Sequence, residues 1–407
     1  MSSPLAQPLA ETQLPKPATR GRVQSIDIIR GAVMMLMAID HIREFFNDDA
    51  FVHSPTDLAR VTAGIFLTRW ITHFCAPVFM FTAGLGAFLY GRRRTLPELS
   101  RFLWTRGLWL IVLDQTVIHL ALYFNLNYSL VILNILWALG CSMIALAALA
   151  RLPFSVTLAI SLGMIAFHNV LDRVQAAQFG AFAPVWNLLH QLGTFQFAGC
   201  IILSAYPLIP WIGVMAAGYC CGKLFLIEPD RRQRLLVRLG IALTVAFIVV
   251  RAINIYGDPA PWSRQASPLF TFLSFLNCLK YPPSLDFLLM TLGPALLAMG
   301  LVERLRLSDA NPFIVFGRTP LFYFVIHLFV IHAAALVFAY IRYGDGSFLF
   351  NGLPSMSMPR PVFPANYGYP LWVVYAVWLG ILALLYPICR WYAGLKRRRT
   401  DWWLSYL

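Results

Sequence analysis

The feature that most restricts the fold of this chain is a succession of long apolar segments. They lie at about 25–45, 62–90, 101–122, 128–150, 153–170, 198–224, 237–256, 284–303, 313–341 and 370–392. A helix needs about 20 mostly apolar residues to cross a bilayer. Of the 407 residues, 59% are hydrophobic and 12% are charged, which is too little polar surface for a soluble domain. The sequence therefore predicts an all-α, polytopic transmembrane helical bundle with about ten spans.

The distribution of Lys and Arg predicts the orientation of these spans. Ten spans bring both termini to one side of the membrane. Assigning that side to the cytosol places the Arg92–Arg94 run and the Arg390–Arg399 segment there, with most other basic residues. This bias is the positive-inside pattern of membrane proteins, so we expect both termini in the cytosol. A net charge of +14 would also suit a nucleic-acid-binding protein, but this distribution of the basic residues indicates a membrane, so we expect no nucleic-acid partner.

The two ends of the chain differ in composition from the apolar region between them. Residues 1–22 are polar and rich in Pro, which predicts a disordered cytosolic tail and not a cleaved signal peptide. Residues 23–395 are predicted to form a single transmembrane domain. Residues 396–407 are predicted to form a basic and aromatic cytosolic tail.

The seven cysteines are scattered, mostly within apolar runs, with no Cys-x-x-Cys pair and no His/Cys spacing typical of a metal site. Such a set argues against a disulfide framework and against a zinc site. The sequence therefore predicts no metal and no bound cofactor.

The first apolar segment, Ser25–Phe46, carries ionisable residues that a membrane helix rarely tolerates without a use for them. At about 100° per residue, Asp27, Arg30 and His41 fall on one stripe, and Arg30 and His41 are about 16 Å apart along the axis. We expect this stripe to face the interior of the bundle. The alternative is that Asp27 and Arg30 only seat the helix end among the headgroups and that His41 is a capped interfacial histidine.

With this topology, His41 lies in the outer half of the membrane, and further ionisable residues lie in that same half. Arg69 and His73 are four residues apart on one helix face, and Asp114 lies in the third segment. A carboxylate beside a histidine fixes its tautomer and raises its basicity, which suits a general base. We expect Asp40 or Asp114 in that supporting role, although each residue taken singly also fits a structural role. The predicted catalytic residues are His41, Asp40, His73 and Asp114. Asp286, His119, His327 and His332 lie in the same half.

Three arginines near the cytosolic side are candidates for binding a phosphorylated donor. Arg106 lies within the third segment, and Arg318 lies in a Gly-Arg-Thr-Pro sequence at the start of the ninth. Guanidinium groups suit phosphates such as those of an acyl-CoA. The predicted donor-binding residues are Arg30, Arg106 and Arg318. The alternative is that the arginines only fix the orientation in the membrane.

Several stretches of the chain resemble a known family. The segments RVQSIDIIRGAVMMLMAIDHIREFF and FLTRWITHFCAPVFMFTAGLGAFLYGRRR resemble bacterial membrane proteins that are grouped with the catalytic domain of heparan-alpha-glucosaminide N-acetyltransferase. The resemblance continues through LSRFLWTRGLWLIVLD, YPLIPWIGVMAAGY and FGRTPLFYFVIHLFVIH. It implies a multi-pass protein of the bacterial inner membrane that transfers an acyl group from acyl-CoA.

The spacing of Arg30 and His41 is also similar to the Arg-x10-His signature in the first span of membrane acyltransferases that modify surface glycans. The sugar acetyltransferase has its active histidine in a His-x-x-Trp-x-Gly sequence after the first span. At the corresponding place this chain has His53, in His-Ser-Pro-Thr-Asp. We therefore expect His41, and not His53, to be the histidine that acts as base or acyl-carrying nucleophile.

Together these features favour a membrane acyltransferase. It would move an acyl group, with acetyl as the first choice, from cytosolic acyl-CoA to an outer-face glycan or other envelope acceptor. The expected partners are membrane lipid, acyl-CoA as co-substrate and the acceptor, and a homodimer is left open. One alternative is a proton-coupled transporter or flippase that uses the same polar stripe. Another is a scaffold in which the stripe only pairs helices.

Overall fold

The computed structural model of the chain describes residues 23–351 and 363–399, together with Asp401 and Leu404. It is mostly helical, as predicted. The tail predicted for residues 1–22 lies outside the described residues, as do six of the twelve residues 396–407. The last long helix ends at Arg398, so the first residues of this second tail are helical.

The helices are named in chain order. They are α1 (Gln24–Phe46), α2 (Ala63–Thr72), α3 (Cys75–Gly91), α4 (Leu96–Leu113), α5 (His119–Tyr123), α6 (Ile135–Leu149), α7 (Phe154–Phe167), α8 (Ala183–Leu189), α9 (Leu208–Cys221), α10 (Pro229–Ile253), α11 (Pro268–Leu276), α12 (Leu285–Leu301), α13 (Pro312–Arg318), α14 (Pro320–Tyr343) and α15 (Leu371–Arg398). A π-helical turn, Asp114–Ile118, joins α4 to α5. Tighter 3₁₀ turns cover Asp48–Phe51, His168–Arg173, Ala176–Phe182, Gly222–Leu226 and Ser347–Asn351.

Six helical segments of the described chain are long and apolar enough to cross a membrane. They are Ala63–Gly91, Phe154–Arg173, Leu208–Leu226, Pro229–Ile253, Pro320–Tyr343 and Leu371–Arg398. Helices α6 and α12 are apolar but shorter. Helix α1 is long, but its charged residues, such as Asp27, Arg30 and Asp40, set it apart from these six. The count of ten spans remains a prediction.

A small sheet is the main departure from the predicted all-α fold. Strands β1 (Leu130–Leu133) and β3 (Cys200–Ser204) pair in parallel, and β2 (Gly193–Phe197) pairs antiparallel with β3, in the order β1-β3-β2. The two predicted spans 128–150 and 198–224 therefore begin as strands, and their helices start only at Ile135 and Leu208. The strands are rich in β-branched and aromatic residues, which favour an extended backbone.

Two of the predicted spans are interrupted. The ninth is divided at Thr319, because the residue before a proline disfavours the helical conformation and Pro320 follows. The second is divided between Thr72 and Cys75. Pro77 lies in the first turn of α3, where a missing N–H removes no bond within the helix. The break in the ninth span follows Arg318, and the break in the second contains His73.

Helix α1 packs against α3, α13, α14 and α15, and most of its side chains are buried. Glycines let α1 and α13 meet backbone to backbone. A Cβ atom on Gly31 would lie 1.9 Å from the carbonyl oxygen of Phe313, and one on Gly317 would lie 1.9 Å from that of Asp27. Small residues at such contacts allow membrane helices to approach closely. The contact fixes the position of α1 against the helix that ends in Arg318.

Candidate active site and donor-binding cavities

The three arginines predicted to bind a donor line one cavity, although they come from α1, α4 and α13. This Arg318 cavity has a volume of about 480 Å³. Its charged lining residues are Arg30, Arg106, Arg318, Lys396, Arg397 and Asp309. The structure therefore brings the predicted set together and adds two basic residues from the end of α15.

Positive charge exceeds negative charge in the Arg318 cavity. Asp309 Oδ1 lies 2.8 Å from Arg318 Nη1, and its other oxygen lies 2.5 Å from Arg397 Nη1. The hydrogen bond from Arg318 holds the pKa of Asp309 below its ordinary value. The described lining residues of this cavity include five basic side chains and one acidic side chain, a charge balance that suits an anionic ligand.

A second basic cavity, of about 680 Å³, also has Arg30 in its lining. We call it the Arg92 cavity. Its charged lining residues are Asp27, Arg30, Arg92, Arg93, Arg94, Arg232, Glu303 and Arg306. Arg232 Nε donates to Glu303 Oε1 at 2.8 Å, so these two charges pair with each other. The Arg92–Arg94 run thus borders a cavity that adjoins Arg30.

An apolar cavity of about 330 Å³ begins at Arg30 and Arg106 and extends into the bundle. It shares Arg30 with both basic cavities. Its other lining residues include Met34, Phe79, Ala83, Leu110, Leu139 and Phe324. The wall is therefore basic at one end and apolar along the rest.

A smaller cavity of about 90 Å³ surrounds His41. We call it the His41 cavity. Its polar lining residues are Asp40, His41, Glu44, Thr72, Asn134, Tyr206, Lys280 and Tyr281. Phe79, Ile135 and Phe324 line both this cavity and the apolar one, so they form the wall between the two.

The polar stripe predicted on α1 faces these cavities. Arg30 and Met34 line the apolar cavity, and Met37 and His41 line the His41 cavity. Residues that follow one another along the stripe therefore line adjacent cavities. The stripe connects the basic end of the bundle to His41 along one helix face.

His41 is held by a carboxylate that sequence reasoning missed. Its Nδ1 lies 3.1 Å from Glu44 Oε2, and the two side chains are 22% and 13% exposed. The i, i+3 spacing on α1 is the sequence signal that could have identified Glu44. The contact orients the ring, so Nε2 is the atom left for chemistry.

His327 of α14 is a second imidazole near His41, with ring centroids 5.3 Å apart. Its Nδ1 lies 3.0 Å from the carbonyl oxygen of Tyr323 and 2.6 Å from that of Phe324. Two acceptors at Nδ1 assign the proton to that atom, which makes Nε2 the basic nitrogen. That Nε2 is buried and has no hydrogen-bond partner in the described part of the chain.

The direct partners of Asp40 in this structure are arginines, and its role beside a histidine stays a prediction. Its carboxylate forms an ion pair with Arg69 and accepts a hydrogen bond from Arg43 at 3.2 Å. Adjacent positions on a helix point about 100° apart, so the direct partners of Asp40 differ from those of His41. Asp40 still lines the His41 cavity, beside Lys280.

Asp114 is not among the residues that line the His41 cavity. Its Oδ2 accepts hydrogen bonds from the Asn134 backbone N–H at 3.1 Å and from Gln115 Nε2 at 2.7 Å. Because Asn134 is the residue before α6, Asp114 stabilises the start of that helix. This arrangement is structural.

The two other histidines considered near the first span lie away from the cavity lining. His73 is buried and packs on the ring of Phe287, with centroids 5.2 Å apart. Thr72 and Cys75, on either side of it, do line the His41 cavity. His53 lies in the loop after α1, where Arg60 Nη1 is 3.4 Å from its Nδ1. Of the predicted catalytic residues, His41 and Asp40 therefore share the cavity.

A family model described as "Heparan-alpha-glucosaminide N-acetyltransferase, catalytic" matches residues 22–256. This range covers more than half of the chain and includes Arg30, His41, Glu44 and Arg106. A comparison with curated proteins gives no significant match. The helices that are long and apolar enough to cross a membrane, together with this match, indicate a membrane protein that is similar to N-acetyltransferases. The chain belongs to the family of the heparan-alpha-glucosaminide N-acetyltransferase catalytic domain.

Proposed function

We propose that this protein transfers an acyl group, with acetyl as the first candidate, from cytosolic acyl-CoA to an acceptor at the outer face of the bacterial inner membrane. The acceptor is a hydroxyl or amine of a glycan or other envelope component. The observation that carries the proposal is the series of cavities along α1, from the arginines around Arg30 to His41. In this proposal the protein has ten spans and both termini in the cytosol.

The basic cavities suit the nucleotide end of the donor. The phosphates of coenzyme A carry several negative charges, and guanidinium groups bind them through paired hydrogen bonds. Arg30, Arg106 and Arg318 converge from three helices on one cavity, which is where such a group would be held. The donor therefore enters from the side of the bundle at which α15 ends.

The apolar cavity suits the thioester arm of the donor. The eleven residues from Arg30 to His41 correspond to about 16 Å along the helix. An extended, largely uncharged arm lies along this distance between the arginines and the imidazole. Phe79 and Phe324 stand between the apolar cavity and the His41 cavity, so their rings must move to admit the thioester.

His41 is the residue that acts on the acceptor or on the acyl group. As a base, its Nε2 takes the proton from the acceptor while the acceptor oxygen or nitrogen attacks the thioester carbonyl, and the C–S bond breaks to release CoA. As a nucleophile, Nε2 attacks the carbonyl first, and the C–S bond breaks to expel the CoA thiolate. The acceptor then attacks the acyl-imidazole, the imidazole leaves, and the acceptor's proton passes to the thiolate, which is released as CoA. In both routes Glu44 stabilises the positive charge that develops on the ring.

Lys280 and Arg69 provide positive charge next to the reacting atoms. Lys280 lines the His41 cavity, and Arg69 pairs with Asp40 at its edge. Positive groups that are fixed in place stabilise the oxyanion of a tetrahedral intermediate. Since Asp40 already balances Arg69 and Arg43, Lys280 is the better candidate for this contact.

Label transfer from acetyl-CoA tests the proposal. Purified protein is incubated with labelled acetyl-CoA and an envelope extract, and the labelled product is isolated. We expect His41→Ala to abolish transfer without loss of helical content. His53→Ala, which changes a histidine of the neighbouring loop, is the matched control and should retain the wild-type rate. An unchanged rate in His41→Ala removes this histidine from the mechanism.

A transporter or flippase is the second candidate, because cavities that approach both ends of a bundle also suit a transport path. It predicts proton-coupled uptake in liposomes without consumption of acyl-CoA. The same purified protein therefore distinguishes the two functions in one pair of assays.

A further inference from the structure

A group of metal-ligating side chains lies outside the cavities described above. His168 and Asp172 belong to the 3₁₀ turn after α7, and His190 follows α8. One ligand atom from each residue lies within 4.8 Å of the other two. Their separations of 4 and 18 residues follow no common metal motif, so only the fold brings them together.

Both histidines are buried, and their nitrogens are largely unused. His168 and His190 are each 2% exposed. Neither ring nitrogen of His168 has a hydrogen-bond partner among the described residues, and neither does His190 Nδ1. The carbonyl of Pro283 interacts electrostatically with His168, but not at hydrogen-bond geometry. Buried polar atoms normally have partners, so unpartnered imidazole nitrogens call for a ligand.

Asp172 is oriented by Asn169 so that its second oxygen points toward His190. Asn169 Nδ2 donates to Asp172 Oδ2 at 2.7 Å, and Asn169 Oδ1 accepts from the backbone N–H of Leu285 at 2.9 Å. Asp172 Oδ1 lies 3.1 Å from His190 Nε2. Outer contacts of this kind orient the ligands of metal sites.

We propose that His168, Asp172 and His190 bind a borderline divalent transition-metal ion, with Zn²⁺ as the first candidate. Zn²⁺ binds imidazole nitrogen and carboxylate oxygen at about 2.0–2.2 Å, which separates the ligand atoms of a tetrahedron by about 3.4 Å. The 3.1 Å between Asp172 and His190 is close to that spacing. His168 completes the set by a small side-chain movement, and one position stays open. The 19% exposure of Asp172 gives the ion an access path.

The metal would link the end of α7 to the end of α8 and so fix the segment that leads into β2. The turn that holds His168 and Asp172 also contacts the start of α12, because Asn169 Oδ1 accepts a hydrogen bond from the backbone N–H of Leu285. Leu285 follows the loop whose Lys280 and Tyr281 line the His41 cavity. The proposal does not depend on acyl transfer. In the proposal, a structural metal ion replaces the direct hydrogen bond between His190 Nε2 and Asp172 Oδ1.

Metal titration of the full-length protein tests the proposal. The protein is treated with a chelator, freed of it, and titrated with Zn²⁺ by calorimetry, and bound metal is counted by elemental analysis. We expect one Zn²⁺ per chain and a rise in melting temperature on binding. His168→Leu should lose saturable binding, and Asn169→Ala, which keeps all three ligands, should bind about 10–100-fold more weakly.

His119→Gln is the matched control, because it changes another buried histidine outside the group, and it should bind Zn²⁺ like the wild type. Co²⁺ added in place of Zn²⁺ should give visible ligand-field bands in the wild type and in His119→Gln. If the wild type shows no saturable site, or if Asn169→Ala binds like the wild type, the proposal is wrong. Because Asn169→Ala removes no ligand, a misfolded His168→Leu variant does not decide the outcome.

Discussion

Glu44→Gln removes the negative charge beside His41 while it keeps the size and shape of the side chain. Glu44 Oε2 lies 3.1 Å from His41 Nδ1, and the exposures of 13% and 22% leave this contact mostly shielded from solvent. A hydrogen bond to a charged group contributes about 1.5–3 kcal/mol, which corresponds to about 10–150-fold in rate. We therefore expect kcat for acyl transfer to fall by about 10–100-fold. The KM for acyl-CoA should change little, because Glu44 lines the His41 cavity and not the basic cavities.

The assay is label transfer from acetyl-CoA at several donor concentrations, which separates kcat from KM. Asp230→Asn is the matched control, because it neutralises a carboxylate that forms an exposed pair with Arg304 far from His41 in the sequence. It should have the kinetics of the wild type. If Glu44→Gln also has the wild-type kcat, or if it changes only the KM for acyl-CoA, then Glu44 does not assist His41 and the assigned role is refuted.

Three further changes test other parts of the account. Arg30→Ala should raise the KM for acyl-CoA about tenfold or more, as loss of a charge-assisted contact requires, and donor saturation curves measure it. Arg69→Met leaves Asp40 short of a partner and should lower the free energy of unfolding by about 3–5 kcal/mol in denaturant titrations, with part of the loss recovered by adding Asp40→Asn. Arg318 lowers the pKa of Asp309, so the ion pair stabilises the fold above the unfolded pKa and stops doing so as the pH falls through the lowered value. Asp309→Asn should therefore reduce the loss of thermal stability on acidification.

The polar stripe on α1 could be predicted because it depends only on helix geometry. Arg30 and His41 share a face at any position of the helix in the bundle, and the apolar surroundings require that face to look inward. The sequence also predicts Arg30, Arg106 and Arg318 near the same membrane side, and the structure places them around one cavity. These predictions need no knowledge of which helices touch.

The partners of each carboxylate could not be predicted in this way. Asp40 binds Arg69 and Arg43, and Asp114 binds the start of α6, because the packing of separate helices decides what lies opposite each side chain. Glu44 is different, because its spacing from His41 was visible in the sequence. It lies at the end of the apolar segment, where charged residues are common in membrane helices.

The strands, and the group of His168, Asp172 and His190, could not be predicted for the same reason. Strand β1 is apolar and precedes an apolar helix, so its residues read as part of one continuous span. The partner strand β3 is about 70 residues away in sequence, and pairing at that distance leaves no local pattern. Likewise, His190 lies close to His168 because the turn Ala176–Phe182 and helix α8 fold the chain back between them, and this leaves no local pattern in the sequence.

The central claim is that one path along α1 carries an acyl group from the arginine end of the bundle to His41. Proteoliposomes with the protein in a known orientation test it directly, with labelled acetyl-CoA on the side of the Arg318 cavity and the envelope acceptor on the other side. The account predicts labelled acceptor on the side opposite the donor, and none with His41→Ala. Label that appears only on the donor side, or that appears equally with His41→Ala, would contradict it.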